Sequence, residues 1–471
     1  VIETVLRHRD ERIALIAPAE GVQLSYNDLA RRVEELADWM LAVLGGRELV
    51  FLAPGPDVQS VLLLLASLRA GLPLCLVEPQ AEPLARLVRA YHPGLVLVRD
   101  TLGLPEGWNS RPAPTGAYLA GLPARRAEHR LHPDLALLLT TSGSTGSPKL
   151  VRLTAHNLLS NASAIASYLE IGPGERAVQS LPIHYSYGLS VLNSHLVAGG
   201  AVVLTPHSFL QREFWKDADE QRATSFAGVP YMYETLYRLR FDSALHPSVR
   251  TFTQAGGALR RELIAHFHRC AVASGARLVV MYGQTEATAR ISFVPPDRLA
   301  DKIGSIGVAI PGGLLRLEPV ERDTDLAMQL VYEGGNVMMG YAEAPADLAL
   351  GDVLRGVLRT GDLATVDGDG YFTLVGRLQR FAKLFGRRVS LEDVERELES
   401  AFPVHAMATE SAGRLALLIA SRGEAVEDDA VVAHVARWLA VPPGSIGVRL
   451  LPELPRTASG KKDYRAAEMV E

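Results

Sequence analysis

Thr141-Ser-Gly-Ser-Thr-Gly-Ser-Pro-Lys149 contains only Gly, Ser, Thr and Pro until a single lysine closes it. Before it lies Leu135-Ala-Leu-Leu-Leu-Thr140, an apolar run of strand length, and after it Leu150-Val-Arg-Leu153 reads as a second strand. A tight connection of this kind gathers backbone N–H groups into a concavity suited to an anion. Gly143 and Gly146 let the backbone approach a ligand closely, the hydroxyls of Thr141, Ser142, Ser144 and Thr145 add donors, and Lys149 supplies a point charge. The stretch reads as a loop that holds phosphate, with an ordinary Gly/Ser hairpin as the alternative on composition alone. Its spacing is not G-x-x-x-x-G-K-[ST], so the P-loop NTPase reading fails.

The surrounding chain sets the scale. At 471 residues it exceeds the size of a single core, so two or more subdomains are expected. A formal net charge of −5 gives no field suited to nucleic acid. Cys75 and Cys270, both in apolar surroundings, are the only cysteines, which excludes a disulfide framework and suits a reducing compartment. The first residues lack the order of a signal peptide, and the longest apolar run, Val61–Ala66, is too short to cross a bilayer. A cytoplasmic protein without membrane insertion is the expectation.

On either side of the loop, strand-like and helical stretches alternate. Leu49–Ala53, a helix over Val58–Ala70 and Leu72–Val77 form a strand, helix, strand unit, and Leu95–Val98 is another strand. Thr154 can N-cap a helix running to about Leu169. Ala201–Leu204, Ser225–Gly228, Thr251–Thr253 and Leu278–Met281 alternate with further helices, a spacing that argues for parallel sheets covered on both faces. After Pro296 short glycine-punctuated strands predict a small antiparallel barrel or meander. Beyond Arg377, Ser390-Leu-Glu-Asp393 reads as a capping box for a helix with Leu391, Val394, Leu398 and Ala401 on one face. Strand-like Leu415–Ala420 and an amphipathic helix carrying Val431, Val432, Val435 and Leu439 complete a compact α+β module. The expected organisation is therefore α/β: residues 1–378 as stacked α/β sheets with a small β-barrel, then 379–471 as a small mobile module.

Four more motifs follow in order, and together with the phosphate loop they resemble the adenylate-forming superfamily of acyl-CoA synthetases, peptide-synthetase adenylation domains and luciferases. Tyr282-Gly-Gln-Thr-Glu-Ala287 is similar to the family's YGxTE segment. Gly256-Gly257-Ala258 resembles its adenine-edge segment, Arg359-Thr-Gly-Asp362 its TGD, and Leu454-Pro-Arg-Thr-Ala-Ser-Gly-Lys461 its PxTxxGK. The resemblance implies that Tyr282, Gly283 and Gln284 lie by adenine with Gly256, Gly257 and Ala258, and that Thr285 meets the α-phosphate. Glu286 would help hold Mg2+, Asp362 and Arg377 would hold the ribose, and Lys461, rather than Lys462, would serve adenylation. The chemistry is sound in each case. A carboxylate suits a vicinal diol because each hydroxyl is a donor, and a cation with fixed donors stabilises the charge of departing pyrophosphate.

These parts imply two half-reactions. A bound carboxylate attacks the α-phosphorus of ATP in line with pyrophosphate, the protein contributing positioning and charge neutralisation. The final module then turns on its hinge, so that a pantetheine thiol, of CoA or of a separate carrier protein, attacks the acyl carbonyl. Gln379, Lys383 and Gly386 fall in the hinge and thiolation segment. No side-chain nucleophile is required, in keeping with the lack of a G-x-S-x-G elbow or H-E-x-x-H site.

By the same resemblance the acid pocket is lined by Tyr185, Ser186 and Gly188 and by Val229 and Pro230. Ser186 stands where amino-acid-activating members carry an Asp, and burying an ammonium without a carboxylate is unfavourable. The expected substrate is an acyl or aryl acid lacking an α-amino group. A freestanding amino-acid adenylation enzyme is the nearest alternative. A non-catalytic nucleotide-binding relative is the second, motivated by three departures: Gln379 for the usual Asp, Phe385 for a frequent Arg, and Leu150 for a common Gly.

Overall fold

The computed structural model describes residues 1–99, 102, 104, 108–114, 116–125, 127, 130–140, 149–322, 325–378, 381–384, 387–411, 414–423, 426–439, 441–457 and 461–469. The chain divides into two compact units, Val1–Leu315 with Tyr332–Leu358, and Arg316–Val331 with Arg359–Glu471. It is a mixed α/β fold with a large N-terminal part and a smaller C-terminal one.

Two sheets organise the first unit. One has eight strands, ordered Gly340–Ala342, Leu150–Thr154, Leu135–Thr140, Leu74–Leu76, Val50–Leu52, Leu95–Arg99, Tyr118–Pro123 and Trp108–Pro112. The four from Leu135–Thr140 to Leu95–Arg99 pair in parallel. The other has nine, ordered Val308–Ala309, Ser292–Phe293, Arg277–Tyr282, Thr251–Gln254, Ser225–Gly228, Arg176–Val178, Ala201–Val203, Ile13–Ala17 and Val22–Ser25. Its six strands from Arg277–Tyr282 to Ile13–Ala17 are parallel.

Parallel strands between helices bury both faces, and alternate residues show it. Val50 and Leu52 join the main core with the helices Tyr26–Leu44, Val58–Arg69, Ala155–Tyr168 and Ser186–Val197. Leu49, Phe51 and Ala53 point the other way, into a second core under the helix Ala81–Tyr91. Local signals set the helix starts, at Thr154 as expected. Thr154 caps Ala155–Tyr168 through a capping box with Asn157, and Asp57 accepts from the Ser60 N–H at the start of Val58–Arg69. Among the described residues no helix is long and apolar enough to cross a membrane.

Past Pro296, Gly313–Arg322, Asp325–Gly334, Val357–Val366 and Phe372–Arg377 form a four-stranded sheet in that order, a meander. The C-terminal module packs the helices Leu391–Ala401 and Asp428–Leu439 on a three-stranded sheet of Val404–Ser411, Arg414–Ser421 and Ile446–Leu451. One expectation needs correction: Ala401 is exposed, and the buried face of Leu391–Ala401 takes Glu395 instead. A carboxylate can occupy that position because Lys462 meets it at 2.9 Å and the Ala408 N–H donates to it at 3.0 Å.

Candidate active site

The strand Arg277–Tyr282 ends in a loop whose two ends are tied together. The Ile291 N–H donates to the Tyr282 carbonyl at 2.9 Å, and a Cβ on Gly283 would overlap the Ala289 carbonyl oxygen, so only glycine fits. Thr288 and Ala289 hold positive φ angles of 54° and 102°. The residues 336–338 support this geometry. Asn336 Nδ2 donates to the carbonyls of Ala287 and Arg290 at 2.7 and 2.8 Å, Thr288 Oγ1 to the Asn336 carbonyl at 2.6 Å, and the Met338 N–H to the Glu286 carbonyl at 2.9 Å. Tyr282, Gln284, Thr285 and Glu286 thus ride on a braced turn, with Gln284 Nε2 donating to Tyr282 Oη at 3.1 Å.

Residues 141–148, which include Thr141, Ser142, Gly143, Ser144, Thr145 and Gly146, lie outside the described residues. Their supports do not: Leu135–Thr140 and Leu150–Thr154 pair antiparallel with Thr140 opposite Leu150, so the loop joins two neighbouring strands. Leu150 is fully buried, a core strand residue. Lys149 Nζ lies 2.7 Å from Glu343 Oε1 and 5.4 Å from the Tyr341 ring centroid. The hydroxyl of that same Tyr341 donates to Glu286 Oε1 at 2.7 Å. Burial, and then the neighbouring Glu286 charge, raise the Tyr341 phenol, which keeps it a neutral donor. Lys149 and Glu286, 137 positions apart in sequence, therefore meet through one ring. Tyr341 and Glu343 were missed in the sequence because they belong to a separate edge segment with no local signal.

The predicted pocket residues also converge. Ser186 Oγ lies 3.2 Å from Thr285 Oγ1, which sets the start of the helix Ser186–Val197 against the braced turn. Gly188 allows that start, since a Cβ would overlap the Pro182 carbonyl oxygen. Gly256, at φ +88°, has room for no side chain: a Cβ would lie 2.6 Å from the Tyr185 hydroxyl and 3.1 Å from Val229. Gly257 approaches Pro230 in the same way, at 3.2 Å, while Ala258 is exposed. Three predicted residues of the acid pocket, Tyr185, Val229 and Pro230, and two of the adenine segment thus fall in one place. Among the described residues no group of three or more His, Cys, Asp or Glu could hold a metal by itself.

In the second unit Asp362 and Arg377 are cross-strand partners, and Arg377 Nε donates to Asp362 Oδ1 at 2.7 Å. Asp362 is 2% exposed. Lys461 closes a turn in which the Thr457 N–H donates to its carbonyl at 2.8 Å and its own N–H donates to Thr457 Oγ1 at 3.2 Å. Lys462 is occupied by the fold, with Nζ 2.9 Å from Glu395, 3.1 Å from Glu399 and 2.6 Å from the Ala406 carbonyl. Burial pulls its pKa down, but Glu395 and Glu399 outweigh this and hold it well above the usual lysine range. Gln379, Phe385 and Gly386 lie outside the described residues. The backbone of Lys383 pairs with Arg388 in the hairpin of Phe381–Leu384 and Arg387–Ser390.

A family model for AMP-binding enzymes matches residues 2–342. The chain is 30% identical over 484 residues to a sulfoacetate–CoA ligase of Cupriavidus necator, covering 95% of this chain and 92% of that protein. It is 31% identical over 347 residues to a feruloyl-CoA synthase of Amycolatopsis sp., covering 70% and 68%. Among solved structures, ATP-bound MatB from Rhodopseudomonas palustris superposes with a TM-score of 0.78 at 23% identity, over 100% of this chain and 98% of that one. The chain belongs to the AMP-binding enzyme family, within the adenylate-forming superfamily.

Proposed function

We propose that this protein is an ATP-dependent carboxylic acid ligase that forms an acyl adenylate with release of pyrophosphate and passes the acyl group to the thiol of CoA. The observation that carries the reading is the meeting of Lys149 and Glu286 at Tyr341, with Ser186 against the neighbouring Thr285. A phosphate-loop cation, a carboxylate and the acid-pocket helix then belong to one reaction centre. The acceptor follows the relatives, a sulfoacetate–CoA ligase and a feruloyl-CoA synthase, which are CoA ligases by name. A carrier-protein thiol is the alternative acceptor.

The residues suit Mg2+ that arrives with the nucleotide. Mg2+ is ordinarily bound by one or two carboxylates, substrate phosphates and water, and Glu286 offers one half-buried carboxylate on the braced turn. When bound, the ion would neutralise charge on the departing pyrophosphate. Thr285 would donate to the α-phosphate and Lys149 would attract the outer phosphates. Asp362, paired to Arg377, would accept from the ribose hydroxyls, and Lys461 would supply the lysine for adenylation. Residues 379–471 would act as the lid, with Lys383 on its acceptor-facing segment.

Ser186, 8% exposed and bonded to Thr285, offers no charge to an α-ammonium, which favours an acid without an amino group. The silent-binder reading loses one of its motives, because Leu150 fills a core strand position. A pyrophosphate-release screen across fatty, aromatic and amino acids tests the proposal. Lys461→Ala is expected to lower release by about three orders of magnitude, the scale of a lost charge stabiliser. Nucleotide binding, followed by titration calorimetry, is expected to persist; unchanged release would refute the role of Lys461.

A further inference from the structure

The braced turn ends in a residue that the reading so far leaves unused. Arg290 is 2% exposed, and its Nε has no hydrogen-bond partner. Its guanidinium carbon lies 3.9 Å from the Tyr187 ring centroid, Nη1 donates to the Ala289 carbonyl at 3.3 Å, and its other polar neighbour is the uncharged Tyr168 hydroxyl. Among the described residues no carboxylate stands within ion-pair distance of it. A buried cation without an anion is strongly unfavourable, and cation–π contact offsets only part of that.

The neighbours cannot supply the missing charge. Arg290 lines a cavity of about 20 Å³ together with Ser190, Ser194, His195, Thr253 and Glu175. Glu175 is engaged elsewhere, 2.5 Å from Arg250 and accepting from Thr224 Oγ1. The Tyr168 hydroxyl points to Met281 Sδ at 2.9 Å, and burial raises Tyr168, Tyr185 and Tyr187 alike, so all three stay neutral. His195 is neutral as well, because burial pushes it down to about 4.

A second, smaller cavity, lined by Ser186, Ser190 and Thr288, shares Ser190 with the first. Ser186 touches Thr285, and Ser190, four residues on, lines the cavity with Arg290. The step between them is one helical turn, roughly 5 Å. A cavity of about 20 Å³ has room for a compact polar group.

Resting on the ligase reading above, we infer that the substrate acid carries a second anionic group, a carboxylate or sulfonate, that pairs with Arg290 while its other end is adenylated at Thr285. The substrate is a short two-headed acid. One anion becomes the mixed anhydride with AMP; the other stays ionised and fills the place of the missing counter-ion.

Pyrophosphate release by the wild-type protein with ATP and Mg2+ tests this. The panel pairs each monoacid with a second acid group at the same length: propionate with malonate, butyrate with succinate and 3-sulfopropionate, valerate with glutarate. The expected result is kcat/KM at least about 100-fold higher for one two-headed acid than for its monoacid partner, the scale of a desolvated charge pair. Arg290→Met should reduce that preference by a similar factor, mainly through KM, and Arg290→Lys should restore part of it. Release with monoacids in preference to every two-headed acid overturns the inference and leaves the ligase reading standing. Release with no acid at all overturns the ligase reading, and this inference with it. If Arg290→Met fails to fold, the wild-type preference decides alone.

Discussion

A methyl group on Gly283 would occupy the space of the Ala289 carbonyl oxygen, at the point where the loop bearing Thr285 and Glu286 closes on itself. The clash is with backbone, which cannot rotate away as a side-chain tip can. Gly283→Ala is therefore expected to open the turn, destabilising the protein by ~3 kcal/mol and lowering pyrophosphate release by about 100-fold through misplacement of the reacting groups. Thermal denaturation and turnover measured on the same sample check both effects. At this scale the sequence was partly legible. Gly283, Gly256 and Gly188 each stand in a recognisable motif, and the structure supplies the steric reason for each. Tyr341 and Arg290 were not legible. An aromatic on an edge strand and an arginine in a mixed stretch of small, polar and apolar residues look ordinary until tertiary contacts set one beside Glu286 and bury the other without a counter-ion.

Among the elements, the helix Leu391–Ala401 shows how a pattern can be right in kind and wrong in one position. Leu391, Val394 and Leu398 face the core as the helical period requires, but the fourth place goes to Glu395, not Ala401. No helical period predicts a buried carboxylate; it is set by Lys462, which arrives 67 residues later to bind Glu395 and Glu399. Removing the cation leaves two carboxylates facing each other. Lys462→Met is expected to destabilise the C-terminal module by ~2–4 kcal/mol, toward the low end for a broken buried pair because the lysine side chain keeps 26% of its surface in water. Adding Glu395→Gln should recover part of the loss, since it removes the uncompensated charge. Denaturant unfolding of the four proteins of this double-mutant cycle measures the coupling, and purely additive effects would show that the pair contributes nothing.

The whole molecule was legible where strands are buried on both faces. Val50–Leu52, Leu74–Leu76 and Leu95–Arg99 appear in the sequence as apolar runs because helices cover the sheet on either side. Trp108–Pro112, an edge strand exposed along most of its length, carries no such run and was not anticipated. Burial on this scale has a consequence for pH. His195 is 3% exposed, and burial pushes its pKa down to about 4; His184, whose Nδ1 has no hydrogen-bond partner, is likewise lowered to about 4. In the unfolded chain both return to an ordinary value near 6.5. Above that value they are neutral in both states and contribute nothing to pH dependence. Between about 6.5 and 4 the unfolded chain binds two protons that the native protein refuses, so stability falls as pH falls, by roughly 2.7 kcal/mol per pH unit once both sites titrate. Urea unfolding at pH 7.5, 6.0 and 5.0, above the range where most carboxylates titrate, should show this decline. His195→Asn should halve the slope, and an equal slope in the variant would mean that the buried imidazole takes up its proton without unfolding.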